Sequence, residues 1–255
     1  MKKPLILVTN DDGITSKGIR TLVEIAQKIG EVVVVAPDSP QSGMGHAVTI
    51  HDPLRLKKVQ IFDGVESYEC SGTPVDCVKL AKYVVLKGRT PDLCVSGINH
   101  GSNVAINILY SGTMSAAMEA SLEGINSIGF SLLDFRPNAN FEPGKKWIEQ
   151  LIRTVLKNGL QGGKLLNVNI PNIPAEEIKG LKVCRQSNSR WVEDFQENTD
   201  PMGQKYYWLT GTFVTKDKGD DTDVWALENG YISVVPSSHD LTDYDSVKGG
   251  KWMEG

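Results

Sequence analysis

The sequence predicts an α/β protein: a Rossmann-like, doubly wound, mostly parallel sheet with a projecting C-terminal hairpin arm. Three observations carry that prediction. Short continuous apolar runs, Leu5-Ile6-Leu7-Val8 and Val32-Val33-Val34-Val35-Ala36 among them, have the composition of strands buried on both faces. Segments of helical periodicity stand between such runs, and strands that alternate with helices build a parallel sheet. Polar, glycine-bearing loops follow the strands, at the edge where open α/β sheets collect their ligands.

Taken in order, residues 17–29 place Ile19, Leu22, Val23, Ala26 and Ile29 at helical spacing, and Gly30 stops that helix before the strand at 32–36. A loop at 37–45 and an insert then depart from simple alternation, with strands expected at 47–50, 54–61 and 67–70. Thr73-Pro74-Val75-Asp76 reads as N-cap, N1 proline and first-turn acid of a helix reaching residue 86. Leu93-Cys94-Val95 is the next strand. The helix at 112–123 carries Ala116, Ala117, Ala120 and Ser121 on a narrow face for close packing, Gly124 ends it, and 127–132 returns to strand. Beyond Phe135 the pattern thins to a helix at 145–156, a strand at 165–170 closed by Pro171 and Pro174, and a polar stretch at 185–222. Tyr206-Tyr207-Trp208 and Phe213 interrupt that stretch, which reads as a hairpin arm whose aromatics mark a subunit interface or fold back on the parent domain.

Composition sets outer limits. With 255 residues, 40% of them hydrophobic, the chain has ample material for a core as one large α/β domain or two small ones. Its longest apolar runs fall far short of the roughly 18 residues that cross a membrane, so no membrane partner is expected. The opening Met1-Lys2-Lys3-Pro4 offers no small-residue cleavage site. Cys70, Cys77, Cys94 and Cys184 have neither CxxC spacing nor the density of a disulfide scaffold; reduced, mostly buried thiols fit a cytoplasmic protein. A net charge of −4 argues against a broad nucleic-acid surface, so no nucleic-acid duplex is expected as partner. A small phosphate ligand remains compatible, because a metal supplies the missing positive charge.

The most informative stretch is Thr9-Asn10-Asp11-Asp12-Gly13, which sets two carboxylates directly after a buried strand. Held close they repel, so keeping both calls for solvent, a partner cation, a shared proton or a bound divalent metal. Asp is also a good turn former and helix cap, which gives the pair a purely structural reading. Two further loops fall at the same end of the sheet: Pro37-Asp38-Ser39-Pro40-Gln41-Ser42-Gly43 and Ser96-Gly97-Ile98-Asn99-His100-Gly101-Ser102-Asn103. Their carboxylate, hydroxyl and amide oxygens suit a hard cation such as Mg²⁺ or Mn²⁺, and the four histidines lack the spacing of a zinc site. His100 is a candidate acid or base, although surface histidines are common. Finally, Tyr110-Ser111-Gly112-Thr113-Met114-Ser115 opens the small-residue helix with free N–H groups, hydroxyls and the positive end of the helix dipole. Alone this is an N-cap serine; beside a metal site it becomes a phosphate seat.

These residues resemble a known family. Asn10-Asp11-Asp12-Gly13, Ala36-Pro37-Asp38 with Gln41-Ser42-Gly43, Ser71-Gly72-Thr73-Pro74-Val75-Asp76-Cys77-Val78, Ser96-Gly97-Ile98-Asn99-His100-Gly101 and Tyr110-Ser111-Gly112-Thr113 look like the ordered motifs of the SurE survival-protein family. The likeness extends to Thr222-Asp223, Gly230-Tyr231-Ile232-Ser233-Val234 and Asp240-Leu241-Thr242, and is thin between 135 and 215. It implies one SurE-like α/β domain over residues 1–255, with 185–222 as an oligomerisation arm and a homodimer or homotetramer as the assembly. It implies a 5′/3′-nucleotidase, a phosphoric monoester hydrolase acting on nucleoside 5′- and 3′-monophosphates, with exopolyphosphatase activity in some members. The family's metal ligands fall on Asp11, Asp12, Ser42 and Asn99, for one divalent ion, with Asp11 and Asp12 as the catalytic residues, one of them open to a role as general base or as the nucleophile of a phospho-enzyme. Asn103, Ser111, Gly112 and Thr113 match positions near bound phosphate. One departure is Ser39-Pro40-Gln41, where many members carry basic residues.

Rival readings fare worse. A signalling receiver module shares the acidic pair and Mg²⁺, but needs an aspartate where Ser96-Gly97-Ile98-Asn99 stands. A dinucleotide-dependent oxidoreductase needs GxGxxG after the first strand, where carboxylates here would repel the pyrophosphate. The remaining alternative is a metal-binding signalling or nucleotide-binding module that does not hydrolyse its ligand.

Overall fold

In the computed structural model, which describes residues 3–160 and 165–250, the chain runs through β1 (Leu5–Thr9), α1 (Lys17–Gln27), β2 (Glu31–Pro37), β3 (Leu56–Val59), β4 (Glu66–Cys70), α2 (Pro74–Leu80), β5 (Leu93–His100), α3 (Gly112–Leu122), β6 (Ser127–Leu132), α4 (Lys145–Asn158), β7 (Leu165–Ile170), β8 (Gly180–Val183), β9 (Ser189–Thr199), β10 (Lys205–Thr215), α5 (Asp223–Glu228), β11 (Tyr231–Ser237) and α6 (Tyr244–Gly249). Met1 and Lys2, read above for a cleavage site, lie outside the described residues. Nine strands form one sheet in the order β3-β4-β2-β1-β5-β6-β7-β11-β8, and β9 pairs with β10 in a separate antiparallel hairpin. The six strands from β4 to β7 are parallel, whereas β3 and β11 run antiparallel to β4 and β7. This is the expected doubly wound, mostly parallel fold with its hairpin arm.

Alternate residues of β1 explain why its sequence is apolar without a break. Ile6 and Val8 pack with Ile19, Leu22, Ile148 and Ile152 of α1 and α4, while Leu5 and Leu7 pack with Cys77, Val78, Ala116 and Ala120 of α2 and α3. Both faces of the strand are therefore core, and burying such side chains stabilises the fold by about 1.5–3 kcal/mol apiece. All four cysteines are free and buried. Among the described residues no helix is long and apolar enough to cross a membrane.

The structure departs from the sequence reading in four places, each with a physical reason. Residues 47–50 form no strand, because side chains satisfy their backbone: Thr49 donates its N–H and hydroxyl to the Asp76 carboxylate at 3.1 and 2.6 Å, and Thr73 Oγ1 donates to the Ala47 carbonyl at 2.7 Å. The helix opened by the Thr73–Asp76 capping box is α-helical only to Leu80 and then widens into a π-helical turn at Ala81–Val85, with Leu86 N–H reaching back to the Ala81 carbonyl at 2.9 Å. Strand β5 continues past Val95 as far as His100, its register against β6 slipping between Ser96 and Asn99. Helix α3 is enclosed on more than one narrow face: Ala116 and Ala120 meet the sheet, while Met114 and Ala117 pack with Ile108 and Leu165.

Candidate active site

Strand order reverses at β1, which lies between β2 and β5, so the loops after β1 and β5 open the crevice where doubly wound sheets bind ligands. Thr9 and Ser96 are register partners at that point. The β1 loop is shaped from within. Buried Asn10 donates through Nδ2 to the Gly13 carbonyl and to Ser16 Oγ, both at 2.9 Å, and Gly13 takes φ +92°, a conformation open to glycine. Ser16 then caps α1.

The chain turned in this way buries Asp11, only 4% exposed, against the start of α3. Thr113 donates its hydroxyl to Asp11 Oδ1 at 2.5 Å. Gly112 permits the approach: a Cβ there would stand 2.7 Å from Asp11 Cβ and 3.0 Å from Oδ2. Burial pushes the Asp11 carboxyl up to about 6; the Thr113 hydrogen bond opposes the rise and the Asp12 charge adds to it. Asp12 is half-buried and also raised, chiefly by burial, with His100 beside it pulling the other way. Its Oδ2 accepts the His100 backbone N–H at 3.3 Å.

The second loop is tied to the first through backbone. Gln41 N–H donates to the Asp11 carbonyl at 2.7 Å and Gly45 N–H to the Tyr110 carbonyl at 3.1 Å, so the exposed Ser42 stands between two anchors that face the acids and the α3 terminus. Farther along, His46 Nε2 pairs with buried Glu119 of α3 at 3.0 Å, and Lys79 of α2 pairs with the same carboxylate at 2.5 Å. On the third loop, Asn99 Nδ2 donates to the Gly101 carbonyl at 2.8 Å, which leaves its amide oxygen for a ligand. His100 holds Nδ1 3.0 Å from the Arg136 carbonyl and sets its ring edge against Phe141. Arg136 itself is bound to Asp134 through Nε and Nη2 at 2.8 and 2.6 Å.

Asn103 and Ser111 have structural commitments. The Asn103 N–H donates to Asn169 Oδ1 at 2.7 Å, its Nδ2 to Ser131 Oγ at 2.8 Å, and its carbonyl accepts from Asn167 Nδ2 at 2.7 Å, which moors this loop to β6 and β7. Ser111 is the N-cap of α3, accepting from Met114 N–H at 3.1 Å. The structure thus brings Asp11, Asp12, His100, Gly112 and Thr113 into direct contact and sets Ser42 one residue beyond the Gln41 anchor; the hydrogen bonds of Asn103 run toward β6 and β7. Sequence reasoning missed the mooring role of Asn167 and Asn169, although two asparagines alternating through an otherwise apolar strand were the available signal. It also placed Thr113 toward a ligand, whereas its hydroxyl orients Asp11.

Among the described residues no three His, Cys, Asp or Glu side chains cluster as a metal site. The donors are two carboxylates with hydroxyl and amide oxygens, a set for a hard cation and a poor one for zinc. Thr9 Oγ1, Asn10 Oδ1 and Ser96 Oγ are buried around the same switch point without a hydrogen-bond partner, an orphaned polarity that native interiors seldom leave unanswered.

Fold and site together define a doubly wound α/β protein with an oxygen-rich, carboxylate-centred crevice against a helix N-terminus. The chain belongs to the SurE family, whose model, survival protein SurE, matches residues 6–193. It is 62% identical over 249 residues to a protein of Christiangramia forsetii named 5′-nucleotidase SurE, covering 97% of this chain and 95% of that one. A protein of the same name from Bacteroides thetaiotaomicron is 48% identical over 247 residues, 96% and 94% of the two chains. The crystal structure of the SurE protein from Aquifex aeolicus superposes with a TM-score of 0.84 at 42% identity, over 99% of this chain and all of that one.

Proposed function

We propose that this chain is a metal-dependent phosphomonoesterase that hydrolyses nucleoside 5′- and 3′-monophosphates to nucleoside and phosphate. The observation that carries the reading is the junction of buried Asp11 with Gly112 and Thr113, which puts an acid pair at the mouth of a helix N-terminus; the relatives' name, 5′-nucleotidase, supports the 5′-monophosphate part of it. Asp11, Asp12, Ser42 and Asn99 would hold one Mg²⁺ or Mn²⁺, and the orphaned buried oxygens nearby fit an ion-bearing crevice. When bound, such an ion supplies Lewis acidity and neutralises phosphoryl charge.

The chain's own groups do the rest. N–H groups of Gly112 and Thr113, at the positive end of the α3 dipole, bind the equatorial phosphoryl oxygens, while Asn103 holds its own loop to β6 and β7. Asp11 is committed to Thr113, so the half-buried Asp12 is the better placed to take a proton from the water that attacks phosphorus in line. His100 has Nδ1 engaged by the Arg136 carbonyl, and protonated at its other ring nitrogen, Nε2, it would give that proton to the leaving nucleoside oxygen. In place of the basic residues many members carry, the 39–41 segment offers Ser39, Pro40 and Gln41, which leaves the ester side of the site without that cation.

Exopolyphosphatase activity belongs to the same proposal, since a terminal phosphoryl group would meet the same donors. So do a cytoplasmic setting, supported by four free buried thiols, and assembly into a homodimer or homotetramer through the 185–222 arm, whose Phe195, Tyr207, Trp208 and Leu209 are exposed. The test is phosphate release from a panel of nucleoside monophosphates and short polyphosphate, with chelator-stripped protein before and after Mn²⁺ or Mg²⁺ is added. Release restored only by metal is expected; none under any condition would leave a metal- or nucleotide-binding module as the better account.

A further inference from the structure

We propose that the cleft at the root of the arm is the nucleobase subsite, with Trp191 and Tyr110 as the residues that grip the base. This rests on the nucleotidase reading and names the part of the substrate that the acid loop and α3 terminus do not reach. The cleft holds about 520 Å³ and is lined by Tyr110, Trp191, Glu193, Leu209, Thr210 and Gly211. That volume lies in the range of small-ligand pockets, and its walls are mostly apolar. A larger cavity of about 830 Å³ opens between Lys3, Arg89, Arg153 and Lys157 at the opposite end of β1, far from the acids, and both of its arginines are already paired with Glu31 and Glu149.

Continuity with the phosphate seat selects the occupant. Tyr110 directly precedes Ser111-Gly112-Thr113, so the wall of the cleft and the donors for a phosphoryl group are consecutive in one chain segment. The Tyr110 carbonyl is fixed by Gly45 N–H, on the loop that carries Ser42. Across the cleft, the Trp191 indole is locked rather than free: Nε1 donates to Asn107 Oδ1 at 2.8 Å, and Phe213 meets the ring edge-on with centroids 5.6 Å apart. Asn107 lies in the 3₁₀ turn that leads into Tyr110, which ties the two aromatic walls together.

The rings remain open to a ligand, Trp191 at 42% and Tyr110 at 56% exposure. Gly211 pairs with Glu193 on the hairpin and adds no side chain to the floor between them. A ligand whose phosphate sits on Gly112 and Thr113 would carry its nucleoside over Tyr110 into this cleft. Every base offers a π-face to stack on such rings, and the Glu193 carboxylate accepts from a base N–H or a ribose hydroxyl.

Two measurements test this. The first compares kcat/KM for a nucleoside 5′-monophosphate with that for ribose 5-phosphate, which has the same ester and no base, in Trp191→Ala and Tyr110→Leu and in the conservative Trp191→Phe. The ratio of the two constants is expected to fall about ten- to hundred-fold in the first two variants, through KM, and to return toward the native ratio in Trp191→Phe. A ratio within twofold of native overturns the subsite, including the case where both constants drop together from a damaged fold. The second is equilibrium dialysis with adenosine alone, which needs no hydrolysis: binding lost in Trp191→Ala upholds the subsite even if no phosphate ester is cleaved, and a native protein that binds no adenosine overturns it while leaving the phosphatase reading intact.

Discussion

The acid loop and the arm sit at opposite extremes of construction. Asp11 is held by Thr113, more than a hundred residues away in sequence, inside a sheet whose strands are core on both faces. The β9–β10 hairpin is held by its own register, Ser189 opposite Thr215 through Thr199 opposite Lys205, and most of its side chains face solvent. Groups meant to meet a transition state need fixed geometry, because a misplacement of 1 Å costs about 10² in rate. The arm, proposed above to meet a partner and a base, needs exposure instead, and the chain supplies it where no catalytic distance depends on it.

Substitutions break this contrast in proportion to how deeply they cut the acid loop. Asp12→Asn is expected to lower turnover by about 10³-fold, with the far-ultraviolet circular dichroism unchanged, because it removes charge at a half-buried loop and leaves the core alone. Native turnover in that variant would remove Asp12 from the site.

The second effect is on stability and reverses the usual expectation for removing a charge from a hydrogen-bonded site. The Asp11 carboxyl is raised from 3.8 to about 6 in the native state, so it binds its proton more tightly there than in the unfolded chain. Its favourable contribution is therefore complete below pH 3.8 and is lost as pH rises through about 6. In chelator, Asp11→Asn should be more stable than the native protein at pH 8, by up to about 3 kcal/mol at 1.36 kcal/mol per unit, and equally stable near pH 3.5. Denaturant melts at the two pH values check this; a variant that is less stable at pH 8 contradicts the burial penalty.

Gly112→Ala sharpens the comparison at intermediate size. Its Cβ would press on Asp11 and on Pro74, costing about 1–3 kcal/mol of stability and displacing the α3 terminus. Phosphate release should fall by about 10²-fold in the same variant. Smallest of all, Trp208→Ser on the arm should shift the unfolding free energy of the isolated chain by no more than about 0.5 kcal/mol, while its effect on assembly is read by sedimentation. A large stability loss there would show that the arm is part of the core.

Much of this was legible beforehand because buried parallel strands write themselves as unbroken apolar runs. β1 and β2 follow from that rule, β6 and β7 from apolar residues interrupted by buried Ser and Asn, and the acid pair is conspicuous against it. What escaped was settled by side chains acting across the sequence. Asp76 answers the backbone of Thr49 and turns an apparent strand into a pinned loop. The Asn103–Ser131–Asn167–Asn169 network likewise joins four residues from three segments; the alternation of Asn167 and Asn169 in β7 marks one end of it, and nothing local points to Asn103 or Ser131 as the other. Thr113 read as a ligand contact for the same reason: its partner, Asp11, lies far away in the chain.

The central place of β1 also bears on how the chain is made. Synthesis delivers β1 and β2 together, yet the other edge of β1 waits for β5, some ninety residues later. Until then the nascent sheet shows an open edge of unpaired N–H and C=O groups on a strand that is apolar on both faces, the kind of surface that invites mispairing between crowded chains. Only when the ribosome has passed Thr113 does Asp11 meet its partner, so the crevice closes late, on a scaffold that must already have stayed clear of its neighbours.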